Sequence, residues 1–169
     1  MLITRDGLWG NQRNMSLKLG DLRIKSSAFA PLSRIPKRNA GDGENLSPPL
    51  EWSGAPKGTR EFAIVCHDPD APLVHGFTHW VLYGIPADTT KIAGGQKPDI
   101  FIGGLNGTGK AGYAGPYPPN GHGPHHYYFW IYALDKNLGL KPGLALEELY
   151  GSIEGHVLEQ ARVVGVYER

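Results

Sequence analysis

Three short stretches of this 169-residue chain carry side chains that could hold and polarise a small ligand. The first is Asp68-Pro69-Asp70-Ala71-Pro72. Each proline fixes its own φ near about −65° and biases the preceding residue toward extended backbone, so the turn is stiff and its two carboxylates are held in place. The second is the pair His79-Trp80. The third, YPPNGHGPHHY, runs from Tyr117 to Tyr127 and is punctuated by proline and glycine. If its end is a strand, His125 and Tyr127 share one face and His126 takes the other. Aspartates beside His79 and His125 would raise the imidazole pKa values and fix the tautomers. An imidazolium then offers one N–H to a carboxylate and one to a guest. Backbone N–H groups of the glycine-rich loop can cradle the rest of an anion. Charge-assisted bonds of roughly 1.5–3 kcal/mol each, less the cost of association, imply affinities on the order of micromolar to millimolar. Each stretch also has a plain structural reading: a solvated strand-end turn, a satisfied core histidine, an outward-facing His126.

Other chemistries fit less well. His67, His75, His79, His122, His125 and His126, with Asp68 and Asp70, contain enough donors for a metal-dependent or His/Asp hydrolase. No HExxH or CxxC spacing supports a zinc site, and no GxSxG supplies a nucleophile. Cys66 sits inside an apolar run, as a buried structural thiol does. Gly104 to Lys110, GLNGTGK, fits the letters of a phosphate-binding loop, but Ala111 stands where Ser or Thr should meet magnesium, and no helix pattern follows. The expectation is a non-catalytic binding protein without a cofactor.

These residues must be positioned by a strand-rich framework. Alternation at Leu22–Ser27 and the LEW of 50–52 predict short strands. Arg60–His67, His79–Ile85 and Tyr127–Leu134 are β-branched or aromatic apolar runs, the last covered on both faces. The long glycine-rich connection before Tyr127 is expected to be functional or to hide a short strand such as Asp99–Gly103. Leu146, Leu149, Tyr150, Ile153, Val157, Leu158 and Ala161 follow helical spacing, with Gly151 and Gly155 breaking the helix into short pieces, and Val163–Tyr167 reads as a last strand. The pattern predicts an antiparallel β core with short C-terminal helices. One domain is expected over residues 1–169, with residues 1–20 as a loosely docked arm.

Composition narrows the partners. A net charge of +1 without basic runs gives no field for nucleic acid. The longest apolar run, FWIYAL, is far shorter than the ~20 residues of a membrane helix. A single cysteine rules out an intrachain disulfide. With no signal-peptide-like stretch at the N-terminus, a cytoplasmic protein is expected.

In combination the motifs resemble the phosphatidylethanolamine-binding protein family, also called Raf kinase inhibitor-like proteins, and its bacterial and archaeal branch most. The matching segments are GENLSPPLEW at 43–52, the DPDAP turn, His79-Trp80, G-x-H-x-Y at 123–127 and the ending EGHVLEQARVVGVYER. The resemblance spans roughly residues 27 to 169. It implies a Greek-key-type core of a large central antiparallel sheet plus a smaller sheet, with an anion pocket at one sheet edge. Asp68, Asp70, His79, His125 and Tyr127 would line or support that pocket, Trp80 would pack beside it, and Pro118 and Pro119 would form its rim. A phosphate or phosphorylethanolamine-like head group is the implied ligand. A kinase or protease partner and a homodimer are implied as well. His126 departs from the pattern, which often has arginine there.

Overall fold

The longest apolar runs become the centre of the larger sheet. The computed structural model describes residues 18–95 and 101–169, and among these the elements are β1 (Arg23–Lys25), β2 (Leu50–Ser53), β3 (Glu61–Asp68), β4 (Phe77–Pro86), β5 (Lys91–Ile92), β6 (Ile102–Gly103), β7 (His125–Leu134), α1 (Leu146–Ile153) and β8 (Val157–Tyr167). Five strands form one antiparallel sheet in the order β6-β4-β3-β7-β8, and β1-β2-β5 form a smaller one. Within the larger sheet the run β7-β3-β4-β6 has Greek-key order, the fourth strand lying beside the first.

Residue alternation along β3 divides the core in two. Phe62, Ile64 and Cys66 enter one apolar cluster, and Ala63 and Val65 enter the other. The first cluster is closed by the small sheet through Ile24, Leu50, Trp52 and Ile92. The second is closed by α1 through Leu146, Leu149 and Ile153. β3 is therefore covered on both faces, as its unbroken apolar run requires.

The chain end differs from the helical expectation. α1 stops at Ile153, one turn of 3-10 helix covers Glu154–His156, and the remainder is strand. Val157, Leu158 and Ala161 belong to β8, which pairs with β7 from Val157↔Leu134 to Tyr167↔His125. Their spacing suits a helix, but a long partner strand and four valines favour extended backbone. Gly151 is tolerated within α1, whereas the backbone leaves the α conformation around Gly155. Of the expected strand at Asp99–Gly103, residues 99 and 100 lie outside the described residues, and Ile102–Gly103 pair with β4. Most of the expected N-terminal arm also lies outside them.

Antiparallel pairing brings the end of β3 and the starts of β4 and β7 to one edge of the sheet. Asp68 closes β3, opposite Phe77, while His125 and Tyr127 open β7. Between Cys66↔Trp80 and His67↔Thr78 the β4 side carries one extra residue, His79. This bulge re-aims the histidine, so that His79 and Trp80 are both buried although they are neighbours in sequence.

Candidate functional site

A cavity of about 430 Å³ opens at this sheet edge. Asp68, His79, His125 and Tyr127 supply its polar lining, with Thr108. Ala71, Pro72, Leu73 and Phe77 form one apolar wall, and Tyr117, Pro118 and Pro119 the other. Six of the eight residues singled out in the sequence thus surround one cavity. Asp70 and Trp80 do not line it. Trp80 is 2% exposed and meets Tyr113 edge-on at 5.6 Å, behind the wall. Asp70 faces outward, where its carboxylate accepts the backbone N–H of His126 at 2.8 Å and the His126 ring Nδ1–H at 2.7 Å.

The DPDAP turn is locked by its own side chain. Asp68 Oδ1 accepts the Asp70 N–H at 2.8 Å, an aspartate turn that fixes the carboxylate over the cavity. Its other oxygen, Oδ2, accepts His125 Nδ1–H at 2.7 Å, with both side chains almost wholly buried. His125 Nε2 in turn lies 2.7 Å from Nδ1 of His122, an exposed residue of the loop before β7.

His79 is held differently from the sequence-based expectation. Its Nδ1 is 2.5 Å from the carbonyl oxygen of Ala114, which can only accept, so Nδ1 carries the proton. Burial pulls its pKa from 6.5 to about 4, although Ala114 and the Asp68 charge act in the other direction. His79 is therefore a neutral imidazole whose Nε2 is a hydrogen-bond acceptor, not an imidazolium. The reason is solvation: its partner is a backbone carbonyl, and a dipole does not repay the desolvation of a buried cation.

Tyr127 supplies the complementary donor. Burial, and next the Asp68 charge, push its pKa far above the ordinary phenol value, so the hydroxyl keeps its proton. Its ring meets His79 edge-on at 5.0 Å, and Phe77 flanks His79 on the other side at 4.8 Å. The polar floor thus combines an acceptor nitrogen, a phenol donor and a carboxylate–imidazole pair within apolar walls.

Several supporting residues left little trace in the sequence. Asn45 adopts φ 56° and its Oδ1 accepts the Gly115 N–H at 2.7 Å, tying the GENLSPPLEW segment to the cavity wall. A Cβ at Gly115 would lie 2.5 Å from the Asn39 carbonyl oxygen, so only glycine fits there. Asn106 Oδ1 accepts both the N–H and the hydroxyl of Thr108, which shapes GLNGTGK into a tight turn at the cavity edge. Arg169 stacks on the Tyr117 ring at 3.6 Å and donates from Nε to the Pro118 carbonyl at 2.8 Å, clamping the rim from behind.

Cys66 is buried away from the cavity, and burial pushes its thiol pKa up, so it stays protonated. Among the described residues no three of His, Cys, Asp and Glu converge in a way that would hold a metal ion. Among them, too, no helix is long and apolar enough to cross a membrane.

Known proteins resemble this chain in sequence and fold. A family model described as phosphatidylethanolamine-binding protein matches residues 25–168. A UPF0098 protein of Methanothermobacter thermautotrophicus is 44% identical over 153 residues, covering 88% of this chain and 99% of its own. A crystal structure of a phosphatidylethanolamine-binding protein homologue from Chlamydia trachomatis superposes with a TM-score of 0.82 at 32% identity, over 88% of this chain and 97% of that one. Escherichia coli YbcL superposes with a TM-score of 0.83 at 29% identity, over 89% and 99%.

Proposed function

This chain belongs to the phosphatidylethanolamine-binding protein family, and from that premise we propose that it is a non-catalytic binding protein for small phosphate-like anions, including phospholipid head groups. The observation that carries this reading is the pairing of a protonated Tyr127 with a neutral His79 in one cavity. Tyr127 donates to an anionic oxygen. His79 Nε2 and the Asp68 side need a donor from the ligand, which a P–OH group or an ethanolamine ammonium provides. A singly charged, protonated phosphate satisfies both demands, whereas a dianion would set its charge against a carboxylate and a lone pair. The apolar walls suit the uncharged remainder of an ester. Modulation of a kinase or protease partner, residence in the cytoplasm, assembly as a homodimer and a single domain over residues 1–169 belong to the same reading and rest on the sequence and the family resemblance.

Calorimetric titration with O-phosphorylethanolamine and with sulfate, at pH 6 and pH 8, tests this assignment. The dianion of a phosphate ester takes up one proton at about pH 6 to become the monoanion, so the ester binds more tightly at pH 6 than at pH 8. Sulfate does not titrate in this range, and its binding stays flat. Equal affinity for the phosphate ester at both pH values would overturn the role given to neutral His79.

A further inference from the structure

We propose that His122 is a built-in latch on the cavity: its ring occupies the hydrogen-bonding position on His125 that an anionic ligand takes, and it swings aside when the ligand enters. This rests on the reading of the cavity as an anion site. His125 has two ring nitrogens, and an imidazole makes one hydrogen bond through each. Nδ1 is engaged by Asp68 at 2.7 Å and Nε2 by His122 Nδ1 at 2.7 Å. While both bonds stand, His125 has none left for a guest.

The two bonds are not equally easy to break. Asp68 and His125 are 2% and 1% exposed, and Asp68 is also fixed by the Asp70 N–H. Separating them would strand a buried carboxylate. His122 is exposed and sits between Gly121 at φ +73° and Gly123 at φ +91°. A Cβ added at either glycine meets nothing within 4 Å, so the loop has space around both hinges. The His122 N–H donates to the Pro119 carbonyl at 3.2 Å, and that of Gly121 to the Arg169 carbonyl at 3.1 Å. These backbone bonds hold the loop base without fixing the ring. His125 Nδ1–H is given to Asp68, so Nε2 accepts; a ligand P–OH donating to Nε2 therefore takes the place of His122 Nδ1–H, and its binding is weakened by the bond it displaces. Such a self-contact lowers affinity in proportion to the time the latch is closed.

The test is calorimetric titration of inorganic phosphate into the wild-type chain, His122→Ala, Tyr127→Phe and His126→Ala. His122→Ala binds about fivefold more tightly, the equivalent of one net neutral hydrogen bond. His126→Ala, altered on the opposite face of β7, binds as wild type does. Phosphate added to the wild-type chain also moves the His122 ring 15N shifts to those of a free imidazole, and this readout decides the matter if His122→Ala does not fold. Equal or weaker binding by His122→Ala, or unmoved His122 shifts at saturation, overturns the latch. If Tyr127→Phe still loses affinity in that case, the cavity assignment stands without it. If neither wild type nor His122→Ala binds phosphate, both ideas fall.

Discussion

Two aspartate–histidine pairs lie side by side at the sheet edge, and only one of them belongs to the cavity. Asp68 pairs with His125, and Asp70 with His126, each at 2.7 Å from Oδ2 to Nδ1. The aspartates come from one turn and the histidines are consecutive in β7. Strand alternation sends His125 inward and His126 outward. The side chains of the inner pair are 2% and 3% exposed, and those of the outer pair both 41%. The same two residue types therefore have different tasks. The inner pair builds the polar floor of a cavity, and the outer pair fastens the DPDAP turn to β7 from the solvent side. Proximity of acid and base does not identify a binding site; exclusion of water does.

The comparison predicts unequal responses to substitution. Asp68→Ala leaves a buried imidazole and a backbone N–H without their acceptor, and a loss of about 3 kcal/mol in chemical unfolding is expected. A loss under about 1 kcal/mol would mean that water reaches the inner pair.

A similar total is expected from pH. His79 titrates at about 4 in the folded chain, against 6.5 for the ordinary side chain. The unfolded chain thus binds the extra proton first. The stability associated with neutral His79 is complete above pH 6.5 and is lost as pH falls toward 4, by roughly 3 kcal/mol in all. Unfolding midpoints measured across that range should fall in the wild type, and the contribution of this site should vanish in His79→Gln. An identical pH slope in the two proteins would contradict a neutral buried His79.

The smallest effect belongs to the outer pair. Burial tends to raise the Asp70 carboxyl, but the hydrogen bonds from His126 outweigh it and hold the carboxyl below its ordinary value. His126→Ala should cost only about 0.2–1 kcal/mol, as exposed pairs do. A cost matching that of Asp68→Ala would erase the distinction between the pairs.

The parts of the inner pair were readable from local rules, and their meeting in one pocket only from the family resemblance. Prolines stiffen the DPDAP turn, an aromatic run marks β7, and period-two alternation assigns His125 and His126 to opposite faces. The partner of His79 was not readable, since Ala114 contributes a backbone carbonyl that leaves no sequence signature. The bulge that turns His79 inward is likewise a property of pairing with β3 rather than of the residues HW themselves. β5 and β6 have two residues each, too few for a period to emerge. At the chain end, Val157, Leu158 and Ala161 satisfy helical spacing, and the choice of strand is made by β7 across the sheet. Asp70 was expected to line or support the pocket on the family resemblance, and two residues along the chain suffice to turn its carboxylate outward.

The most direct test of the cavity assignment is an amide NMR titration with O-phosphorylethanolamine at pH 6, on the wild-type chain and on Tyr127→Phe. The expected result is a set of saturable shifts around Asp68, His79, Ala114 and His125, with affinity at least tenfold weaker in the variant, as loss of a hydrogen bond to a charged group implies. Shifts on a different surface, or equal affinity in both proteins, would contradict the account.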